Sequence, residues 1–122
     1  VPEKFPDLDI SFMESGVTYL PGLMTRLDEE YLKRPEEAPL LEKKPGEYIT
    51  DFYYGTQPLE ISADPEYLEK CIDMVGADQL MFASDYPHWD YDRPTTVMDL
   101  PFLSEEEVEM VLSKNAQEVF GL

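Results

Sequence analysis

The chain has 122 residues, enough for one hydrophobic core and no more. Nine basic residues stand against 27 acidic ones, a formal net charge of −18, so the summed field repels phosphate backbones and anionic lipid alike; neither nucleic acid nor a membrane is expected as a partner. Cys71 is the only cysteine, which excludes an internal disulfide, a CxxC redox pair and a multi-thiolate zinc site.

No apolar run approaches the ~20 residues of a membrane span, and the opening "VPEKFPDLD" lacks the apolar core of a secretion signal, so a cytoplasmic protein is expected. The acidity of "LDEEYLKRPEE" and "LSEEEVEM" is spread along the chain, as on solvated helix faces.

Residues 8–14, "LDISFME", read as the first strand, with Ile10 and Phe12 on one face and Leu8 in step with them. Apolar residues at intervals of three and four then predict a helix over 19–33, with Pro21 in its first turn, where the missing N–H removes little. Three prolines and a glycine make 35–48 a long loop with room for one helical turn. The β-branched and aromatic run "YITDFYYGT", 48–56, predicts the second strand, and "GTQPLEISA" connects it to the next helix. That helix has Asp64 as N-cap, Pro65 at N1, and its end near Gly76. Cys71 shares its spacing with Leu68, Ile72 and Val75, which marks it as a buried small hydrophobe.

"QLMFAS", 79–84, is continuously apolar, as in a strand buried on both faces of a parallel sheet. Its helix is delayed beyond "DYPHWDYDRP" and opens with a capping box from Ser104 to Glu107. Asn115 is expected to cap a short terminal helix whose Val119 and Phe120 seal the core. The result is an α/β chain of three strand and helix units, predicting parallel strands with right-handed crossovers.

Ligands of parallel α/β folds gather at the carboxyl ends of the strands, where this chain places Glu14, Gln57 and Asp85. Asp85 follows "LMFA" directly, and a carboxylate there needs a cation or hydrogen-bond donors to offset its desolvation. Two readings stay open: a metal-binding or catalytic aspartate, and a turn aspartate satisfied by the amides of "YPHW". The aromatic residues Tyr53, Tyr54, Tyr86, Trp89 and Tyr91 either line a pocket or pack in the core and rim.

Taken together, "KFPDLDISFMESGVTYLPGLMTRLDEEY", "FYYGTQPLE", "GADQLMFASDYPHWD" and "NAQEVFGL" resemble the C-terminal region of the amidohydrolase-related family. This is the branch of metal-dependent (β/α)8 TIM barrels that includes aminocarboxymuconate-semialdehyde decarboxylase-like enzymes. The resemblance implies a partial barrel whose three strands are the sixth, seventh and eighth. It makes Asp85 a metal ligand and catalytic residue, and it puts Glu14, a second catalytic group, where decarboxylase-like members carry a histidine. His88, Trp89 and Gln57 match positions at the mouth and are expected to bind a small-molecule substrate.

Family members also carry an HxH pair on the first strand and a histidine on the fifth, whereas His88 is the only histidine here, and such a barrel takes ~250 residues. The resemblance therefore implies that residues 1–122 are the C-terminal portion of a single barrel domain, inactive alone. The complete barrel would hold a divalent metal, zinc before manganese, and carry out hydrolysis or non-oxidative decarboxylation of a small carboxylic or amide substrate. The partner of the portion would be the missing N-terminal barrel part or further copies of the chain. The competing expectation is a non-catalytic half-barrel module that self-associates through open sheet edges.

Overall fold

The computed structural model describes residues 1–61 and 64–122; Ser62 and Ala63, at the end of the expected connection, lie outside the described residues. The three strands, β1 (Ser11–Phe12), β2 (Tyr53–Gly55) and β3 (Leu80–Met81), are shorter than the sequence predicts. They form one parallel sheet in the order β1-β2-β3, with Phe12 opposite Tyr54 and Tyr54 opposite Leu80.

Helix α1 (Leu20–Lys33) holds Pro21 in its first turn as expected. Its far end is lined by exposed Arg26–Glu30 and Arg34–Glu30 ion pairs. The loop that follows contains a short helix, α2 (Pro45–Ile49), pinned to α1 by Gly46 N, which donates to Asp28 Oδ1 at 2.7 Å. Tyr48 and Ile49 thus belong to a helix rather than to the expected second strand. The reason is local: Pro45 stands in the first turn, Glu47 Oε2 accepts from Lys44 N at 3.0 Å, and the turn carries both side chains into the core, at 7% and 5% exposure. Tyr48 also ties the loop down, its hydroxyl accepting from Glu42 N at 2.9 Å and donating to the Glu3 carboxylate.

Helix α3 (Pro65–Val75) follows the sequence closely. Asp64 Oδ1 accepts from Glu66 N, Leu68, Cys71, Ile72 and Val75 are buried, and Gly76 ends the helix at φ 102°. Each large side chain of that stripe contributes ~1.5–3 kcal/mol by leaving water. A one-turn helix, α4 (Pro94–Met98), was not expected; it buries Val97. Then α5 (Glu105–Glu109), a π-helical turn (Met110–Lys114) and α6 (Asn115–Phe120) follow without a break.

The capping box is present: Ser104 Oγ accepts from Glu107 N, and Glu107 Oε2 accepts from Ser104 N at 2.8 Å and from Ser104 Oγ at 2.7 Å. These bonds hold the Glu107 pKa below the ordinary carboxylate value. A folded pKa below the unfolded one gives stability that is present above the unfolded pKa and lost as pH falls through the folded one. Ser104→Ala, which is expected to cost about 1 kcal/mol at neutral pH, should therefore cost less once Glu107 is protonated. Urea melts of both proteins at pH 7 and pH 3 check this, and an undiminished difference at pH 3 contradicts it.

Asn115 is not a cap. It lies inside the continuous helix at 4% exposure, and its Nδ2 donates to Ala77 O at 2.8 Å and Leu80 O at 2.7 Å, fixing the entry into β3. Phe120 does not seal the core, being 61% exposed beyond the last buried turn. The core instead gathers Leu20, Tyr54, Leu68, Ile72, Leu80 and Val111 between the sheet and its helices.

Gly55 marks a close approach in the central strand: a Cβ there would lie 2.9 Å from Met13 Cε and 3.3 Å from its Sδ. The end of Met13 is flexible, so Gly55→Ala is expected to cost about 1–2 kcal/mol rather than prevent folding. Chemical denaturation reads this out, and an unchanged midpoint contradicts it. Among the described residues no helix is long and apolar enough to cross a membrane.

A candidate metal-binding site at the carboxyl edge of the sheet

Parallel strands send all their carboxyl ends to one edge, so the residues that follow β1, β2 and β3 share it. Glu14 lies two positions past β1, Thr56 and Gln57 directly past β2, and Asp85 four past β3.

Asp85 and Glu14 have an unusual backbone in common. Among the described residues they are the non-glycine residues with positive φ, at 55° and 56°. The left-handed region costs an L-residue roughly 1–2 kcal/mol, and such strain collects where a side chain must be aimed. Both expected catalytic carboxylates therefore sit on turns that leave their strands abruptly.

The Asp85 side chain is only 19% exposed, and its Oδ2 lies 2.9 Å from Nδ1 of His88, whose own side chain is 70% exposed. His88 N donates to Asp85 O at 2.9 Å, closing the turn between them. Asp90 completes a group: one ligand atom each from Asp85, His88 and Asp90 lie within 4.8 Å of one another.

The loop that carries these residues is closed at its base. Asp92 N donates to Ser84 O at 2.9 Å, and Asp92 Oδ2 accepts from Leu59 N at 2.9 Å, so one aspartate ties the loop after β3 to the loop after β2. Ser84 Oγ accepts from Tyr86 N, Thr56 Oγ1 accepts from Ala83 N, and the Tyr86 and Tyr91 rings meet edge to face at 5.5 Å. The Gln57–Pro58 and Tyr86–Pro87 peptide bonds are cis.

The remaining expected site residues are scattered in exposure. Gln57 is buried at 3%, Glu14 is exposed, and Trp89 stands 93% exposed at the tip of its loop. Tyr54 is a core residue, its hydroxyl donating to Ile49 O, and burial raises its pKa. Cys71 is buried, as expected. Sequence reasoning passed over Asp90 and Asp92. The spacing of "DYPHWDYD" held the only signal, with carboxylates five and seven residues beyond Asp85.

Two carboxylates and an imidazole form an O, N, O donor set that suits a hard or borderline divalent ion. The residues present fit such an ion through Asp85, with His88 and Asp90 at hand.

Residues 1–122 match the amidohydrolase family model over their whole length. The chain belongs to the amidohydrolase family. Among solved structures it is similar to 5-carboxyvanillate decarboxylase LigW from Sphingomonas paucimobilis, with 26% identity and a TM-score of 0.77 over 99% of this chain and 36% of that one. It also resembles amidohydrolase map2389c from Mycobacterium avium subsp. paratuberculosis K-10, at 19% identity and a TM-score of 0.79 over 99% of this chain and 30% of that one. A third match is 5-carboxyvanillate decarboxylase from Novosphingobium aromaticivorans DSM 12444, crystallised with manganese and 4-hydroxy-3-methoxy-5-nitrobenzoic acid. There the identity is 21% and the TM-score 0.74, over 99% of this chain and 35% of that one. This amidohydrolase chain thus spans about a third of the length of these relatives, and its three-stranded parallel sheet matches part of a TIM barrel.

Proposed function

We propose that the chain is the C-terminal portion of one amidohydrolase barrel, with β1, β2 and β3 as its sixth, seventh and eighth strands. The whole barrel would carry out metal-assisted decarboxylation or hydrolysis of a small carboxylic substrate in the cytoplasm. The observation that supports this most is Asp85, a strained, largely buried carboxylate behind β3 with an imidazole and a second carboxylate beside it. The resemblance of the fold to decarboxylases acting on 5-carboxyvanillate favours decarboxylation of a hydroxylated aromatic acid over amide hydrolysis.

In this reading Asp85 binds the cation, and His88 Nδ1, already 2.9 Å away, fixes the carboxylate's rotamer. A divalent ion there would supply Lewis acidity toward a substrate oxygen. Zinc and manganese both accept this donor set, and the manganese in the Novosphingobium enzyme makes it at least as apt as zinc. Glu14 would exchange a proton with substrate from the neighbouring strand end, and Gln57, His88 and Trp89 would contact the substrate. Asp85, His88 and Asp90 all come from one loop, so in this reading the remaining ligands of the ion would come from other strands of the whole barrel.

The test is carbon dioxide release from a panel of hydroxybenzoates by the full-length gene product, after chelation and reloading with manganese or zinc. Metal-dependent release is expected. Absence of metal-dependent turnover on both carboxylic and amide substrates refutes the reading.

A further inference from the structure

The loop that carries Asp85 is fastened on both sides of that residue. Before it, Thr56 Oγ1, on a side chain buried directly past β2, accepts from Ala83 N at 3.2 Å. After it, Asp92 Oδ2 accepts from Leu59 N at 2.9 Å, while Asp92 N donates to Ser84 O at 2.9 Å and closes the loop on itself. Asp85 thus lies between two ties to one segment, the residues that follow β2. The second tie depends on a single side chain.

Leu59 is buried, it lies beyond the end of β2, and Pro58 before it has no N–H, so the Leu59 amide is the first after Gln57 by which this segment can be held. The segment in turn backs onto the turn after β1, where a Cβ on Gly16, at φ 66°, would lie 3.1 Å from Pro58 O. Contacts therefore run from Asp92 through Leu59 and Pro58 to Gly16, crossing the carboxyl ends of all three strands and passing both Gln57 and the turn that carries Glu14. Among the described residues, the group of ligand atoms from Asp85, His88 and Asp90 does not include Asp92. Its carboxylate accepts a backbone amide instead.

We propose that Asp92 is a positioning residue: by accepting the Leu59 N–H it fixes the loop from Asp85 to Asp90 against the segment after β2, and so sets where the Asp85 carboxylate meets a divalent ion. This rests on the reading of Asp85 as a metal ligand. A loop held at both ends loses little further freedom when it takes up an ion, whereas a loop held at one end must be ordered by the binding event, which lowers affinity. The role requires an acceptor oxygen and no negative charge. Asp92→Asn keeps such an oxygen, and Asp92→Ala removes it.

Manganese titration of the full-length protein, followed by the electron spin resonance of the free ion, tests this together with amide hydrogen exchange of the loop in the chelated protein. Asp92→Ala should weaken manganese binding about 10–100-fold and speed exchange of the loop about 10-fold, while the α3 amides keep their protection. Asp92→Asn should stay within about fivefold of the wild type on both readouts. In an Asp85→Asn background, Asp92→Ala should change the residual affinity less than about twofold, because the tether acts through Asp85. The proposal is overturned if Asp92→Ala binds manganese as the wild type does, even where its stability is lowered. It is also overturned if Asp92→Asn loses as much affinity as Asp85→Asn, which would make Asp92 a ligand; that outcome is readable even if the alanine variant does not fold. A wild-type protein that binds no manganese overturns the metal reading, whereas unchanged loop exchange in Asp92→Ala overturns the tether, so the two fail separately.

Discussion

Asp85→Asn in the full-length protein is expected to lower metal-dependent turnover about 1,000-fold while changing stability by no more than about 1 kcal/mol. The activity estimate follows from losing one charged ligand of a Lewis-acidic ion, worth several kcal/mol in the transition state at 1.36 kcal/mol per decade. The stability estimate balances two small terms. Asparagine tolerates positive φ about as well as aspartate does. The Asp85 contact with a 70% exposed His88 is screened, and such pairs contribute roughly 0–1 kcal/mol. Asp85→Gly serves as a second arm, relieving the left-handed strain at φ 55° while also removing the carboxylate. If Asp85 were merely a turn residue, both variants would keep their turnover. Steady-state rates alongside urea melts separate the cases, because retained activity with lowered stability supports the structural role and contradicts the catalytic one.

Asn115→Asp is expected to destabilise the chain by about 3 kcal/mol or more, with Asn115→Ala costing about 2 kcal/mol. The asparagine amide donates to two backbone carbonyls and is 4% exposed, so alanine removes the side-chain donor from Leu80 O and leaves Ala77 O with the Leu80 N–H alone. The aspartate is nearly the same size but has no N–H, and when ionised it sets a buried negative charge against two carbonyl oxygens. Its penalty should therefore shrink as pH falls and the carboxyl gains a proton that it can donate. Equilibrium denaturation across pH 4–8 measures this. An aspartate variant no worse than alanine at pH 8 would show that the two bonds do not hold β3 in place. Because β3 leads toward Asp85, Asn115→Ala should also weaken metal binding without touching the metal.

The parts of this fold legible in the sequence were those fixed by local chemistry. Helix α3 declared itself through Asp64, Pro65, a stripe of Leu68, Cys71, Ile72 and Val75, and Gly76; the Ser104–Glu107 box did the same for α5. What escaped was decided at longer range. Tyr48 and Ile49 have strand propensity, but a turn opened by Pro45 and pinned to α1 by the Gly46–Asp28 bond overrode it. Asn115 looks like a cap in any local window, since its partners, Ala77 and Leu80, lie more than 30 residues away. Phe120 was expected to be buried on spacing alone, yet the helix carries it past the last layer of core.

The site shows the same division. A carboxylate behind an apolar strand placed Asp85 at the carboxyl edge, and the shared left-handed turn of Glu14 and Asp85 could not be read from residue types that tolerate many conformations. Asp92 was invisible because its meaning lies in Leu59 N, 33 residues earlier. Trp89, expected at a pocket rim, stands in solvent on this chain, and a wall against which it could pack would have to come from outside the 122 residues.

The most direct test of the Asp85 assignment is anomalous diffraction at the manganese edge from crystals of the full-length protein grown with the metal. The account expects one strong peak about 2.0–2.2 Å from an Asp85 carboxylate oxygen. A manganese peak elsewhere in the barrel with the Asp85 carboxylate uncoordinated would contradict it.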